Sequence, residues 1–166
     1  MSQTVLITGA SNGIGKACAR VFARKGYDLV LVARHREKLE AVKAELSEYD
    51  VQIKVIAMDL TGEDAAVDLY NDLVLDDINI DILVNNAGFG DHGAFHDSSW
   101  EKQKKMVLLN IVALMQMTYV FGQSMKRRKK GRILNVASIA GLCAGPYMST
   151  YYATKAFVLS FSESIA

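Results

Sequence analysis

Tyr151 and Lys155 stand four residues apart in the run Tyr-Tyr-Ala-Thr-Lys, and a glycine-rich run, Thr8-Gly9-Ala10-Ser11-Asn12-Gly13-Ile14-Gly15, lies near the other end of the chain. On a helix, residues i and i+4 share a face, so the spacing sets a phenol beside an ammonium. A free phenol ionises near pH ~10, and a cation within ~4–6 Å favours its phenolate. The pair is an acid–base device for neutral pH, provided that a helix carries it and a reacting group lies beside it. Tyr152 lacks the four-residue spacing and is expected to pack or face solvent. In the glycine run, small residues let the backbone approach a pyrophosphate, whose charge a helix N-terminus favours. The spacing is G-x-x-x-G-x-G rather than G-x-G-x-x-G, so the glycines alone also fit a tight turn packed for steric reasons.

These residues need elements to position them. Apolar runs at 5–8, 29–33, 52–58, 80–84 and 132–137 read as buried strands. Between them, 13–25, 36–49, 63–75 and 100–125 read as helices, and a last helix covers 151–166. The first helix carries an apolar stripe of Ile14, Ala17, Cys18, Val21 and Phe22, and the second carries Leu39, Val42 and Leu46. Strands alternating with helices predict an α/β fold: a Rossmann-like, doubly wound parallel sheet in three layers. One dinucleotide-binding domain over 1–166 is expected, with no repeat or linker.

The second strand ends in Ala33-Arg34-His35-Arg36, with no Asp or Glu between Leu29 and Arg36. An acidic residue there would hold the 2′-hydroxyl of NAD, whereas an arginine accommodates a 2′-phosphate. NADP(H) is therefore expected over NAD(H), with Arg34 as the clamp; solvated charges at a helix start are the bland alternative.

Composition excludes other classes. The 166 residues are 51% hydrophobic with a formal net charge of +1, which gives no general attraction to nucleic acid or membrane. Two cysteines, Cys18 and Cys143, with no visible leader point to reduced thiols in a cytoplasmic protein. No uninterrupted apolar run reaches the ~20 residues of a membrane span. His92 and His96 are four apart, but a zinc site needs three or four ligands, so no metal is expected. The run 126–130 is basic, and cations are favoured at a helix C-terminus, so a solvated helix end is expected there rather than a nucleic-acid site.

Taken together, Thr8-Gly-x-x-x-Gly-Ile-Gly15, Asp59-Leu60, Asn85-Asn86-Ala87-Gly88, Asn110, Ser138 and Tyr151-x-x-x-Lys155 resemble, in order and spacing, the short-chain dehydrogenase/reductase family. The resemblance implies hydride transfer between a nicotinamide and a carbonyl or secondary alcohol. Asn110, Ser138, Tyr151 and Lys155 match the family's catalytic residues: Tyr151 as general acid, Lys155 on the tyrosine and the nicotinamide ribose, Ser138 on the carbonyl oxygen, and Asn110 holding water in a proton path. Gly9, Ser11, Asn12, Gly13, Ile14 and Gly15 match its phosphate loop, Asp59 and Leu60 its adenine contacts, and Asn86, Ala87 and Gly88 the turn beside the cofactor ribose. It implies a homodimer or homotetramer built through the long helix and the last helix.

Members of that family are longer, so a C-terminally shortened form lacking the last strands is expected, with weak or no turnover. A catalytically silent dinucleotide-binding or scaffold protein is the rival reading. Phe89, Phe95, Leu142 and Met148, in loops with few charges, point to an apolar small-molecule substrate.

Overall fold

The computed structural model describes residues 2–166. Five strands, β1 (Thr4–Thr8), β2 (Asp28–Ala33), β3 (Ile53–Ala57), β4 (Ile82–Asn85) and β5 (Arg132–Asn135), form one sheet in the order β3-β2-β1-β4-β5. Every pairing is parallel, with Val5 opposite both Leu29 and Ile82. The expected Rossmann-like α/β sheet is thus present. Strand order reverses between β1 and β4, and in such sheets ligands bind beyond the carboxyl ends of the strands at that point.

Alternate strand residues feed two cores, because successive side chains point to opposite faces. Leu6, Val30, Val32 and Leu83 pack with α3 (Ala65–Leu75) and the long helical segment on one face. Val5, Ile7, Leu29, Leu31, Ile82 and Val84 pack with α1 (Gly13–Arg24) and α2 (Arg36–Glu45) on the other. Leu39, Val42 and Leu46 are buried as expected.

The stripe expected on α1 is rotated. Gly15, Ala19 and Ala23 are buried, while Ile14 and Val21 are exposed. The cause is Gly15, whose Cβ would run into the Gly9 carbonyl and lie 2.5 Å from Asn86 Nδ2. That contact turns the 15/19/23 face inward, and small residues there let the helix lie close to the sheet.

The long helix begins as α4 (Trp100–Val107), widens into π-type turns over Leu108–Ala113, and continues as α5 (Leu114–Arg128). Lys129, in the left-handed region at φ 53°, ends it. Its 29 residues are long and apolar enough to cross a bilayer, a property that the interrupted hydropathy of 100–125 did not reveal. Met106, Ala113, Leu114, Met117, Phe121 and Met125 are nevertheless buried in the protein. The last helix, α6 (Ser149–Ser164), starts two residues before the expected position, so Tyr151 sits in its first turn.

Candidate functional site

Thr8, the last residue of β1, connects the two halves of the site. It is buried, and its Oγ1 accepts hydrogen bonds from the backbone N–H groups of Asn86 and Ala87, both at 3.0 Å. In return, Asn86 Nδ2 donates to the carbonyls of Thr8 at 3.0 Å and Gly9 at 3.2 Å. The turn after β1 is thereby fixed against the segment after β4. Gly9 has φ 65°, and a Cβ there would lie 2.9 Å from Ala87 Cα, so both conformation and proximity require glycine. Asn12 precedes α1 without a side-chain cap bond, leaving the N–H groups of the first turn for an anion.

Asn110 lies within the π-type turns, a helix irregularity found frequently at functional sites, and is 1% exposed. Its Oδ1 accepts from Phe89 N–H at 3.1 Å, and its Nδ2 donates to the Phe89 carbonyl at 2.9 Å and to Thr154 Oγ1 at 3.0 Å. Thr154, also buried, donates in turn to the Tyr151 carbonyl at 2.8 Å. Asn110 thus joins the loop after β4 to the helix that carries Tyr151. With both amide hydrogens committed, only the second lone pair of Oδ1 is left for a water.

Lys155 is 7% exposed and donates to the Val136 carbonyl at 2.7 Å. Burial pushes its ammonium below the ordinary lysine pKa. Gly88 lies beside it: a Cβ there would be 3.0 Å from Asn110 Oδ1 and 3.8 Å from Lys155 Nζ. Ser138 Oγ accepts from Ala140 N–H at 3.1 Å, capping the short 3-10 turn Ile139–Gly141. Its own O–H is then available to donate elsewhere.

A cleft of about 270 Å³ lies over the carboxyl ends of β1 and β4, bringing together Gly9, Asn12, Gly13 and Ile14 with Asn86, Ala87 and Gly88, and with Tyr151 and Lys155. Gly15 lies beneath this lining, half-buried Ser11 beside it, and Ser138 next to Ala137 at its edge. Arg34 is exposed at the end of β2. Asp59 is exposed, and the Thr61 N–H holds its carboxyl below the usual range, with the charges of Arg34 and Lys105 adding. Leu60 is 6% exposed and packs in the core, so its side chain supports the site from beneath. A larger cavity, about 670 Å³, opens at the opposite end of the sheet, by the amino ends of the strands. There Arg128 and Lys130 are already paired with Asp81.

Reading motifs did not assign work to Thr8, Thr154 or Gly90. A hydroxyl ending an apolar strand, and another one turn from Tyr151 on the same helix, were the available signals. Gly90 left none, since its significance lies in a contact with Tyr151, 61 residues away. Tyr152 packs on Gly145, where a Cβ would strike its ring.

The family model described as short chain dehydrogenase matches residues 3–166. Very-long-chain 3-oxoacyl-CoA reductase of Bos taurus is 34% identical over 99% of this chain and 54% of its own length. For 17-beta-hydroxysteroid dehydrogenase type 3 of Mus musculus, the values are 37%, 100% and 55%. A short-chain dehydrogenase from Sphingobium yanoikuyae, solved in complex with NADPH, superposes with a TM-score of 0.91 at 39% identity, over 98% of this chain and 64% of that one. A bulky-bulky ketone specific alcohol dehydrogenase from Comamonas testosteroni gives 0.91 at 38% identity, over 98% and 66%. The chain spans about half the length of several of the curated relatives that it matches.

Proposed function

The chain belongs to the short-chain dehydrogenase family, a family of NAD(P)-dependent oxidoreductases, and from that premise we propose that it moves a hydride between NADP(H) and an apolar carbonyl or secondary alcohol. One observation carries the reading: the glycine turn, the 86–90 segment and the Tyr151/Lys155 pair meet in a single cleft at the switch point of the sheet.

The nicotinamide, when bound, supplies or accepts the hydride. The uncapped first turn of α1 would hold the pyrophosphate, with Ser11, Asn12 and Ile14 as its contacts. Tyr151 gives its proton to the carbonyl oxygen in reduction and recovers it in oxidation. Ser138 donates its free O–H to that oxygen and stabilises developing negative charge. Lys155, in the same cleft, would hold the ribose. Asn110 braces the 86–90 segment, with one lone pair left for the water of a proton path. The π-type turns and the Asn110–Thr154–Tyr151 bonds support these assignments.

Arg34 at the end of β2, with no acidic side chain between it and Leu29, supports NADP(H) over NAD(H). The relative solved with NADPH supports the same preference. Phe95, Ile139, Leu142 and Tyr147, all at least 50% exposed on the two loops flanking Tyr151, support an apolar substrate, as do relatives named for bulky ketones and hydroxysteroids. The exposed Trp100, Val107, Val112, Met115 and Tyr119 on the long helix support self-association.

Fluorescence titration with NADPH and NADH tests the cofactor assignment. NADPH is expected to bind at least about tenfold tighter, the equivalent of one charge-assisted contact. Equal affinities would refute the Arg34 clamp.

A further inference from the structure

We propose that Gly90 is a positioning residue: its missing side chain, in a loop that cannot retreat, sets where the ring of Tyr151 lies. This rests on the reading of Tyr151 as the proton donor. A Cβ built on Gly90 would sit 3.1 Å from Tyr151 Cδ2, 3.2 Å from Tyr151 Cγ and 3.2 Å from Met148 Cε. The Met148 methyl ends a flexible side chain and can swing aside. A tyrosine ring has no such freedom, so either the loop or the ring must move by a few tenths of an ångström.

The loop is pinned on both sides of Gly90. Phe89 exchanges two hydrogen bonds with the buried Asn110, its N–H donating to Oδ1 and its carbonyl accepting from Nδ2. Asp91 is ion-paired with Lys102 and accepts from Gln103 Nε2 at 3.4 Å. Two residues further on, Gly93 N–H donates to the Tyr147 carbonyl at 2.8 Å, and the His92 and Tyr147 rings stack with centroids 5.8 Å apart. Tyr147 takes a left-handed conformation, φ 61°, which is costly for a bulky side chain and persists only where its surroundings hold it. The turn before α6 is thus clasped to the same loop that meets Tyr151.

Tyr151 meets Tyr152 edge to face at 6.4 Å, and Tyr152 rests on the backbone of Gly145. A methyl group at position 90 therefore presses the Tyr151 ring away from the loop. Gly90 touches the reacting residue, so its substitution acts on the chemical step.

The test compares Gly90→Ala, Gly90→Ala/Asp91→Ala and Tyr147→Gly with the unaltered chain. In Gly90→Ala, kcat for ketone reduction is expected to fall about three- to tenfold, since a misplacement of about 1 Å costs up to about a hundredfold and the shift here is a few tenths of that, while NADPH affinity stays within about twofold, well under the 1.4 kcal/mol of a tenfold change. Removing the Asp91 anchor lets the loop yield and is expected to restore part of kcat, a rescue that a merely destabilising substitution would not show. Nuclear magnetic resonance of ring-labelled tyrosine, with the Tyr151 signal identified by Tyr151→Phe, follows the ring without any turnover. That signal is expected to shift in Gly90→Ala and to return toward its original position in the double variant. Tyr147→Gly suits the left-handed backbone and is independent of crowding at position 90; it is expected to broaden the Tyr151 signal by loosening the clasp. A ring signal unmoved in all three variants, or an equal loss of kcat in the single and double variants, overturns the proposal. A ring that shifts in a chain that never reduces a ketone retains the positioning and defeats the proposed function.

Discussion

Replacing Thr8 by valine isolates the hydrogen bonds that join the two halves of the cleft. The two side chains have nearly the same shape, so packing of the buried site is preserved and only the hydroxyl is lost. Two N–H groups, those of Asn86 and Ala87, then lose their acceptor. Each buried donor left without a partner costs about 1–3 kcal/mol, and some of this is recovered because the half-buried Asn86 segment can shift toward water. We expect a loss of about 2–4 kcal/mol, which in a domain of this size lowers Tm by roughly 5–15 °C. Thr8→Ser keeps the acceptor and removes one buried methyl group, for a cost of about 1 kcal/mol. Urea unfolding followed by circular dichroism measures both variants, with equal slopes certifying that the comparison is valid. Valine no more than about 0.5 kcal/mol below wild type, or serine costing as much as valine, would refute the view that the Thr8 hydroxyl carries the junction.

Two further outcomes follow from the site geometry. Gly15→Ala places a methyl group against the Gly9 carbonyl and Asn86 Nδ2; NADPH affinity is expected to fall at least about tenfold, since overpacking here costs about 1–3 kcal/mol, and an unchanged titration curve would count against the close approach. Lys155 has a folded pKa below its unfolded value of 10.5, so in the interval between the two the unfolded chain holds more protons and stability rises with pH. Relative to Lys155→Met, the wild-type chain is expected to gain stability as pH rises toward 10.5, measured by urea unfolding across alkaline buffers; a flat difference would argue against a burial-depressed ammonium.

Local patterns in the chain revealed the strands, because parallel strands are short apolar runs, whether buried on both faces as β1, β2 and β4 are or partly exposed at the edges as β3 and β5 are. They revealed the face of α2 for a similar reason, since Leu39, Val42 and Leu46 are its only large apolar residues in register. On α1 the same reasoning chose Ile14 and Val21, and the close contact of Gly15 with Gly9 and Asn86 overrode it. The π-type turns around Asn110 have no signature in the run Leu-Leu-Asn-Ile-Val-Ala. Spacing could bring Tyr151 and Lys155 to one helix face, but the bracing of Tyr151 depends on Thr154 three positions on, on Asn110 bonded to Thr154 across 44 positions, and on Gly90, 61 positions away. The two longer contacts exist only once the tertiary structure has formed.

The Thr8–Asn86 hydrogen bond closes a loop of 78 residues, and this bears on the order of events in folding. Closing so long a loop is entropically costly and comes late relative to local helix formation. Until β1 and β4 lie side by side there is no junction and no cleft, so a nucleotide has nothing to bind in the early, partly folded chain. Its stabilisation therefore belongs to the native basin, and appears as a slower unfolding rate with the refolding rate left nearly unchanged.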